Sequence, residues 1–393
     1  MTEKVPYIVW MACKLWEQPG TDRRLAVEMA RHARLLWVDP PVSPATSAQG
    51  RLGLPRKIRP TLTSLDDRIA RLTPTAVPGM HRAGIRRTTA PLLRAQVRWA
   101  LRRTGIEPAA VVATTLQDVQ GRWGRGVLSV LHGIDDYVAG AELMGLSADR
   151  LRAQEQRSVL RADVVTALSP PLAERWSRLR GTAVPVIPNG CCPGQGGSCA
   201  RPAAELDLPG PVVGLVGRLN ARLDLGLVEA TADAGLSVLI VGPRQPSWEP
   251  VRFAALAARP GVRYVGRVSE EEAFAYMAAV DLGITPYRDS QFNRASFPLK
   301  TLDYLSAGRP VVSTALPAAR WLLNDLEASG LAAGRRPFLA LADDREGFVG
   351  AVRGLAGSPD ATEAGRCRAF AARHTWSCRA DTLAAAIGLA SAP

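Results

Sequence analysis

The chain reads as an α/β protein made of two doubly wound parallel-sheet domains. Three observations predict this. Short apolar strand runs alternate with helical periodicity along both halves. An aperiodic Gly/Pro-rich stretch, Cys191 to Gly210, separates the two series. A hydrophobic fraction of 47% over 393 residues is ample for two cores.

The elements follow in order. PYIVWMAC, from Pro6, is a buried-type strand. Val5 to Ala12 is short and lacks a small-residue cleavage site, so it reads as a strand rather than a leader. After a Pro19-Gly20 loop, Arg24 to Arg34 has helical periodicity, and LLWVDPP is a second strand closed by prolines. Residues 40–60 read as loop. Arg82 to Arg103 reads as a basic amphipathic helix, with Ile85, Leu92, Leu93, Val97 and Leu101 apolar. AAVVATT near Val111 and VLSVLHGIDDY at 127–137 are strands. Ala148 to Leu160 is helical. RADVVTALS at 161–169 and PVIPNG at 185–190 are strands flanking a short helix through Trp176.

The alternation restarts with PVVGLVGRLNARLDL (211–225), SVLIVGP (237–243), GVRYVGRVS (261–269) and DLGITPYRD (281–289). Glu270 to Glu272 are acids suited to a helix start. In Ser296 to Thr314, Pro298 suits a first helical turn and Leu299, Leu302 and Leu305 share a face. Gly308 is a stop, and Pro310-Val311-Val312 opens a strand. The expected boundaries are a first domain over 1–190, a linker over 191–210 and a second domain over 211–375. A helix over 376–393 is expected to pack back toward the first domain.

Composition narrows the function. No apolar run approaches the roughly 18 residues of a membrane span. The six cysteines are scattered, and Cys191, Cys192 and Cys199 have no nearby histidine, so they read as reduced thiols of a cytoplasmic protein without a zinc site. The formal charge is +13. Between Arg51 and Arg103, 13 Lys/Arg face only Asp66 and Asp67, a net of +11, and Trp99 is the sole aromatic. Stacking platforms for nucleic acid need aromatics, so that partner is not expected. A solvated arginine-rich face and peripheral contact with an anionic membrane both remain open for this stretch.

Ligands of doubly wound sheets bind at strand exits. In the second half these are Gly217-Arg218, with Arg222 four residues on, then Gly242-Pro243, Gly266-Arg267-Val268, and the loop bearing Asn293, Arg294 and Ser296. That loop leads into a helix whose start carries Lys300 and Asp303. Arginines, a lysine, a helix N-terminus and one acid fit a nucleoside diphosphate with its ribose on the carboxylate. No Walker lysine loop, no G-x-G-x-x-G after the first strand and no G-x-S-x-G elbow is present. In the first half, His132, Asp135 and Asp136 follow a buried strand. They suit acid/base or acceptor-orienting roles, and a turn capped by Asp135 is the alternative.

The collinear pieces PGTDRRLAVEMARHARLLWVDPP, IDDY, Glu155 before RADVVTALSP, IPNG, VGRLNARLDL, VGP, VRYVGRV, DLGITPY and SFPLKTLDYLSAGRPVVST carry a resemblance. The chain resembles the GT-B-fold glycosyltransferases of family four, in the branch of the teichuronic-acid-type polysaccharide transferases. The likeness covers residues 7–325 and the tail His374-Thr375-Trp376.

The resemblance implies two Rossmann-like domains facing across a cleft. It implies a bacterial, retaining glycosyltransferase moving a sugar from a UDP-, GDP- or dTDP-linked donor. The acceptor would offer a hydroxyl or amine on a glycan, a lipid-linked glycan or a specialised metabolite. No tightly bound cofactor and no metal are implied, and the location is cytoplasmic or peripheral at the inner membrane face. It assigns the donor to Gly217, Arg218, Arg222, Gly242, Arg267, Val268, Asn293, Ser296, Leu299, Lys300 and Asp303. Arg218, Lys300 and the amides near Leu299 would meet the phosphates, Asp303 the ribose, and Arg267 and Val268 the base. The acceptor falls to Gly20, Arg23, His132, Asp135 and Asp136, and the catalytic set is His132, Asp135, Arg218 and Lys300. The chain departs from the family pattern in four ways. Ala295 stands where the first of two glutamates is usual, leaving Asn293 or Ser296 as substitutes. Asp303 is one methylene shorter than the second glutamate. Arg222 replaces a lysine, and Cys191-Cys192 follows the Asn-Gly pair. A nucleotide-sugar epimerase of the same fold and an inactive, anion-docking relative are the competing readings.

Overall fold

Runs such as Ile8 to Met11 and Val212 to Val216 are apolar at every position and form central strands of two separate sheets. The structure, a computed structural model, describes residues 5–18, 20–43, 59–80, 82, 84–121, 123–142, 144–192, 208–332 and 336–389. The chain divides into two units. One comprises Met1–Leu168, Leu172–Pro188 and Trp376–Pro393; the other comprises Ser169–Pro171 and Asn189–Thr375.

The first unit holds β1 (Tyr7–Met11), α1 (Thr21–Met29), β2 (Arg34–Val38), β3 (Thr61–Ser64), β4 (Ile69–Thr73), α2 (Arg86–Thr104), β5 (Pro108–Ala113), β6 (Leu128–Gly133), α3 (Ala148–Arg161) and β7 (Val164–Ala167). Helix α4 (Pro170–Arg180) follows and belongs mostly to this unit. Its sheet runs β3-β4-β2-β1-β5-β6-β7. The pairs are parallel except β3 with β4. The expected parallel sheet is thus present, extended at one edge by an antiparallel hairpin. The hairpin forms because Asp66 Oδ1 accepts from the amides of Arg68 and Ile69, each at 2.7 Å, and closes the turn. The expected strand at 185–190 is reduced to a bridge between Val186 and Ala167, because Pro185 and Pro188 cannot donate to a ladder.

The second unit holds β8 (Val212–Val216), α5 (Leu225–Asp233), β9 (Ser237–Val241), α6 (Pro250–Ala257), β10 (Val262–Gly266), α7 (Glu270–Ala279), β11 (Leu282–Thr285), α8 (Gln291–Ala295), α9 (Leu299–Ser306), β12 (Val311–Thr314), α10 (Pro317–Ala328), β13 (Leu339–Ala342), α11 (Arg345–Leu355) and α12 (Ala361–Ala372). Its order is β10-β9-β8-β11-β12-β13, parallel throughout. Ser269 and Glu272 form a reciprocal cap on α7. The final helix, α13 (Trp376–Ala386), counts with the first unit, where His32 Nε2 lies 2.8 Å from Asp381.

Both sheets reverse strand order once, between β1 and β5 and between β8 and β11. Such switch points, at the carboxyl ends of the strands, are where doubly wound sheets place ligands. Residues 193–207 of the expected linker, Cys199 among them, and 51–58 of the basic stretch lie outside the described residues. The described part of that stretch is not a uniform cationic face. Half-buried Arg71 pairs with Asp39 and Glu17, and Arg94 pairs with Asp118. No helix among the described residues is long and apolar enough to cross a membrane.

Candidate active site

At the second switch point three strand exits interlock through their backbones. Gly217 ends β8 with φ +152° and Gly242 ends β9 with φ +135°, conformations that favour glycine. The amide of Gly217 donates to Val241 O at 2.9 Å, and that of Gly242 to Gly266 O at 2.7 Å. A Cβ on Gly242 would lie 1.9 Å from the carbonyl oxygen of Gly217. Gly242 therefore seats the Gly217 turn, and its role is to hold backbone in place.

Helix α9 is pinned beside this turn by Tyr304. Its hydroxyl accepts from Val216 N and donates to Gly214 O, both at 2.8 Å. β8 pairs with β11 only through Val213 and Gly214, so the tyrosine satisfies strand groups just past that pairing. The ring fills the space over Gly283, where a Cβ would come within 2.4 Å of it. This docking lays Lys300 along Gly217, with its Cε 3.8 Å from a Cβ built there. Lys300 Nζ lies 3.0 Å from Asp303 Oδ2, with side chains 33% and 11% exposed. Arg218 is exposed and makes no hydrogen bond or ion pair among the described residues, and the same holds for Arg267 beyond Gly266. Val268 is half-buried next to it. Pro298 offers α9 no side-chain cap, while the amide of Leu299 is taken by Phe297 O at 2.9 Å. Leu299 itself therefore offers no free amide.

Arg222 does not stand beside Arg218 as a second open cation. Its Nε donates to Asn293 Oδ1 at 2.8 Å, and its guanidinium covers the rings of Phe292 and Tyr287. Asn293 is buried and fully engaged, its amide donating to the carbonyls of Arg222 and Arg288. Ser296 donates to Phe292 O at 2.9 Å. Ala295 is buried, and its carbonyl accepts from Ser169 Oγ at 2.5 Å. The two residues considered as stand-ins for a carboxylate thus spend their polar groups on this loop. Cys191 is buried too. Its amide and thiol donate to His374 O and Ala371 O.

In the first unit the exit of β6 is built differently from the sequence expectation. Asp136 is fully buried and bound bidentately by Arg175 at 2.6 and 3.0 Å, and Arg175 also reaches Glu155 at 2.7 Å. Burial opposes the Arg175 charge, but the hydrogen bonds to Asp136 and Glu155 outweigh it and raise its pKa. Asp136 is therefore a member of an interior ion pair. Asp135 Oδ1 accepts from the adjacent Asp136 N at 3.1 Å. The turn that follows is closed by Asp136, whose Oδ1 accepts from Ala139 N at 2.9 Å. The next helix starts only at Ala148, so the expected Asp135 helix cap is not formed. His132 is buried, its Nδ1 2.8 Å from Thr166 Oγ1, and burial pushes its pKa down to about 4. The fold thus holds this imidazole neutral. Gly20 is extended backbone preceding α1, and Arg23 donates to Trp16 O and stacks over its ring.

None of these first-unit residues lines the hollow at that unit's own switch point. A hollow of about 660 Å³ opens at the β1/β5 switch point, between Cys13, Thr115 to Asp118 and Tyr137 and the starts of α2 and α3. Burial raises the pKa of both the Cys13 thiol and the Tyr137 hydroxyl, keeping these wall groups neutral. The sequence offered little signal for this hollow, because its residues come from six separate segments. Arg175 and Tyr304 were equally silent, each being one polar side chain on an ordinary helix.

Residues 210–357 match the family model described as glycosyl transferases group 1. The putative teichuronic acid biosynthesis glycosyltransferase TuaH of Bacillus subtilis (strain 168) is 37% identical over 111 residues. That match spans 28% of this chain and 28% of that protein. Sucrose-phosphate synthase from Thermosynechococcus elongatus superposes with a TM-score of 0.68 at 16% identity, over 97% of this chain and 98% of that one. Anabaena HepE in complex with UDP and glucose does so with 0.61 at 16% identity, over 98% and 99%. In sequence the second unit thus matches the glycosyl transferases group 1, and the chain shares its two-sheet α/β fold with GT-B glycosyltransferases.

Proposed function

We propose that this protein is a retaining glycosyltransferase that uses a nucleotide diphosphate sugar, UDP-, GDP- or dTDP-linked, and delivers the sugar to an acceptor hydroxyl or amine. The observation that carries the reading is the placement of exposed, unpartnered Arg218 on the Gly217 turn against which Lys300 packs. Two cations at a switch point, next to glycine turns that admit close approach, suit a diphosphate. The UDP and glucose in the HepE complex are in keeping with this chemistry.

In the proposed reaction, the bond from the anomeric carbon to the diphosphate oxygen breaks and the electron pair leaves with the phosphate. Arg218 and Lys300 stabilise the charge that develops there. The acceptor oxygen then bonds to the oxocarbenium-like carbon on the face the phosphate vacates, which retains configuration. The acceptor proton passes to the departing phosphate oxygen. In this scheme the departing phosphate oxygen itself serves as the base. Asp303, held by Lys300, is positioned to accept from a ribose hydroxyl. No protein nucleophile and no metal enter the scheme.

A thermal-shift panel of UDP, GDP and dTDP tests the donor site. A bound nucleotide at 100 times its Kd stabilises by about 2.7 kcal/mol. No shift with any nucleotide would overturn the reading. Product analysis with donor alone separates an epimerase, which needs no acceptor, from a transferase.

A further inference from the structure

The first-unit cavity combines three features. Arg87 and Arg150 line it, and their side chains make no hydrogen bond or ion pair among the described residues. Asp118, the acid of the wall, is neutralised by Arg161 at 2.8 Å and Arg94 at 3.5 Å, so the lining is net cationic. Met144 and Leu146 line the same hollow, 43% and 47% exposed, and give it an apolar wall beside the cations. Finally, the Gln117 side-chain oxygen is buried in the wall and accepts no hydrogen bond.

We propose that this cavity takes a phosphorylated, hydroxyl-bearing amphiphile. Its phosphate pairs with Arg87 and Arg150, its apolar body lies along Met144 and Leu146, and a hydroxyl donates to Gln117. A phosphate monoester carries close to two negative charges at neutral pH, matching two guanidinium groups. A volume of about 660 Å³ holds a ligand of several hundred daltons, well beyond inorganic phosphate. As the acceptor, such a molecule narrows the open list of hydroxyl and amine acceptors to an amphiphilic phosphate. That assignment rests on the transferase reading above; the binding site does not.

The test titrates the full chain with n-octyl phosphate, octyl β-glucoside and inorganic phosphate, without nucleotide. Octyl phosphate is expected to bind at least about tenfold more tightly than either control. The Arg87→Glu/Arg150→Glu variant should lose about tenfold or more of that affinity, as expected for losing charge-assisted hydrogen bonds. Both residues are exposed, so the variant should fold, and unchanged UDP binding confirms that it has. Met144→Ser/Leu146→Ser should weaken octyl phosphate and leave inorganic phosphate unchanged. Equal binding of octyl glucoside, or an unaffected charge-reversal variant, overturns the proposal. Flotation with phosphatidylcholine vesicles containing a long-chain isoprenyl phosphate identifies the source. Association lost in the charge-reversal variant assigns a membrane-held lipid phosphate, and absence of association with octyl phosphate still bound assigns a soluble one. Either supports the class. Failure of UDP to bind removes the acceptor role and leaves this site standing.

Discussion

The carbonyl oxygen of Gly217 occupies the space that a side chain on Gly242 would need, 1.9 Å from an ideal Cβ. Backbone cannot retreat as a flexible side chain can. Gly242→Ala is therefore expected to cost about 3 kcal/mol or more, from strain at φ +135° and from overpacking. Urea unfolding measures it. A loss under about 0.5 kcal/mol, the level of an ordinary surface change, would show that the two turns are not packed this way.

Tyr304→Phe keeps the ring over Gly283 and removes the hydroxyl between Val216 N and Gly214 O. Leaving that buried amide unpaired should cost about 1–3 kcal/mol. Nucleotide affinity should fall as well, because the same tyrosine sets where Lys300 lies. A variant as stable as the parent would contradict the pinning role.

Arg218→Ala and Lys300→Ala should each reduce turnover on the order of 100-fold, by analogy with removing one preorganised donor. Stability should barely change. Arg218 has no protein partner to lose, and the partly exposed Lys300–Asp303 pair is worth at most about 1 kcal/mol. Steady-state kinetics with unfolding controls check both halves. Near-normal rates in both variants would remove the donor-site assignment.

Arg175→Ala leaves the carboxylates of Asp136 and Glu155 buried without their cation. Breaking a buried pair from one side costs about 3–5 kcal/mol. Thermal unfolding should register this as a large drop in Tm, and a neutral effect would mean that the carboxylates reach solvent.

His132 gives the protein an acid sensitivity. Its pKa is about 4 in the fold against an ordinary 6.5. Between those values the unfolded chain binds a proton that the folded chain refuses. The His132 contribution is thus full above pH 6.5 and is lost as the pH falls toward 4, by about 3 kcal/mol in all. Asp22 acts in the opposite sense, since burial raises its carboxyl pKa. Comparing the parent with His132→Gln at pH 7 and pH 4.5 isolates the histidine. The variant should lose less stability on acidification, and parallel losses would refute the assignment.

Periodicity and punctuation determined the broad architecture. Buried parallel strands are written as local apolar runs, and Gly217, Gly242 and Gly266 mark where they end, so two α/β series and their exit loops were readable. The cations Arg218 and Lys300 were readable for the same reason, because each follows a legible strand or helix boundary. Tertiary structure alone decided which polar groups are spent inside the fold. Asp136 looked open until Arg175, 39 residues away and also bound to Glu155, reached it. Asn293 looked like a stand-in carboxylate until Arg222, 71 residues distant, used its oxygen. The hairpin of β3 and β4 and the cavity walled by Gln117, Arg87 and Arg150 were equally hidden. Local sequence encodes propensity and periodicity. The partner of a polar side chain is set by which distant segments the sheet order brings together, and that information is not local.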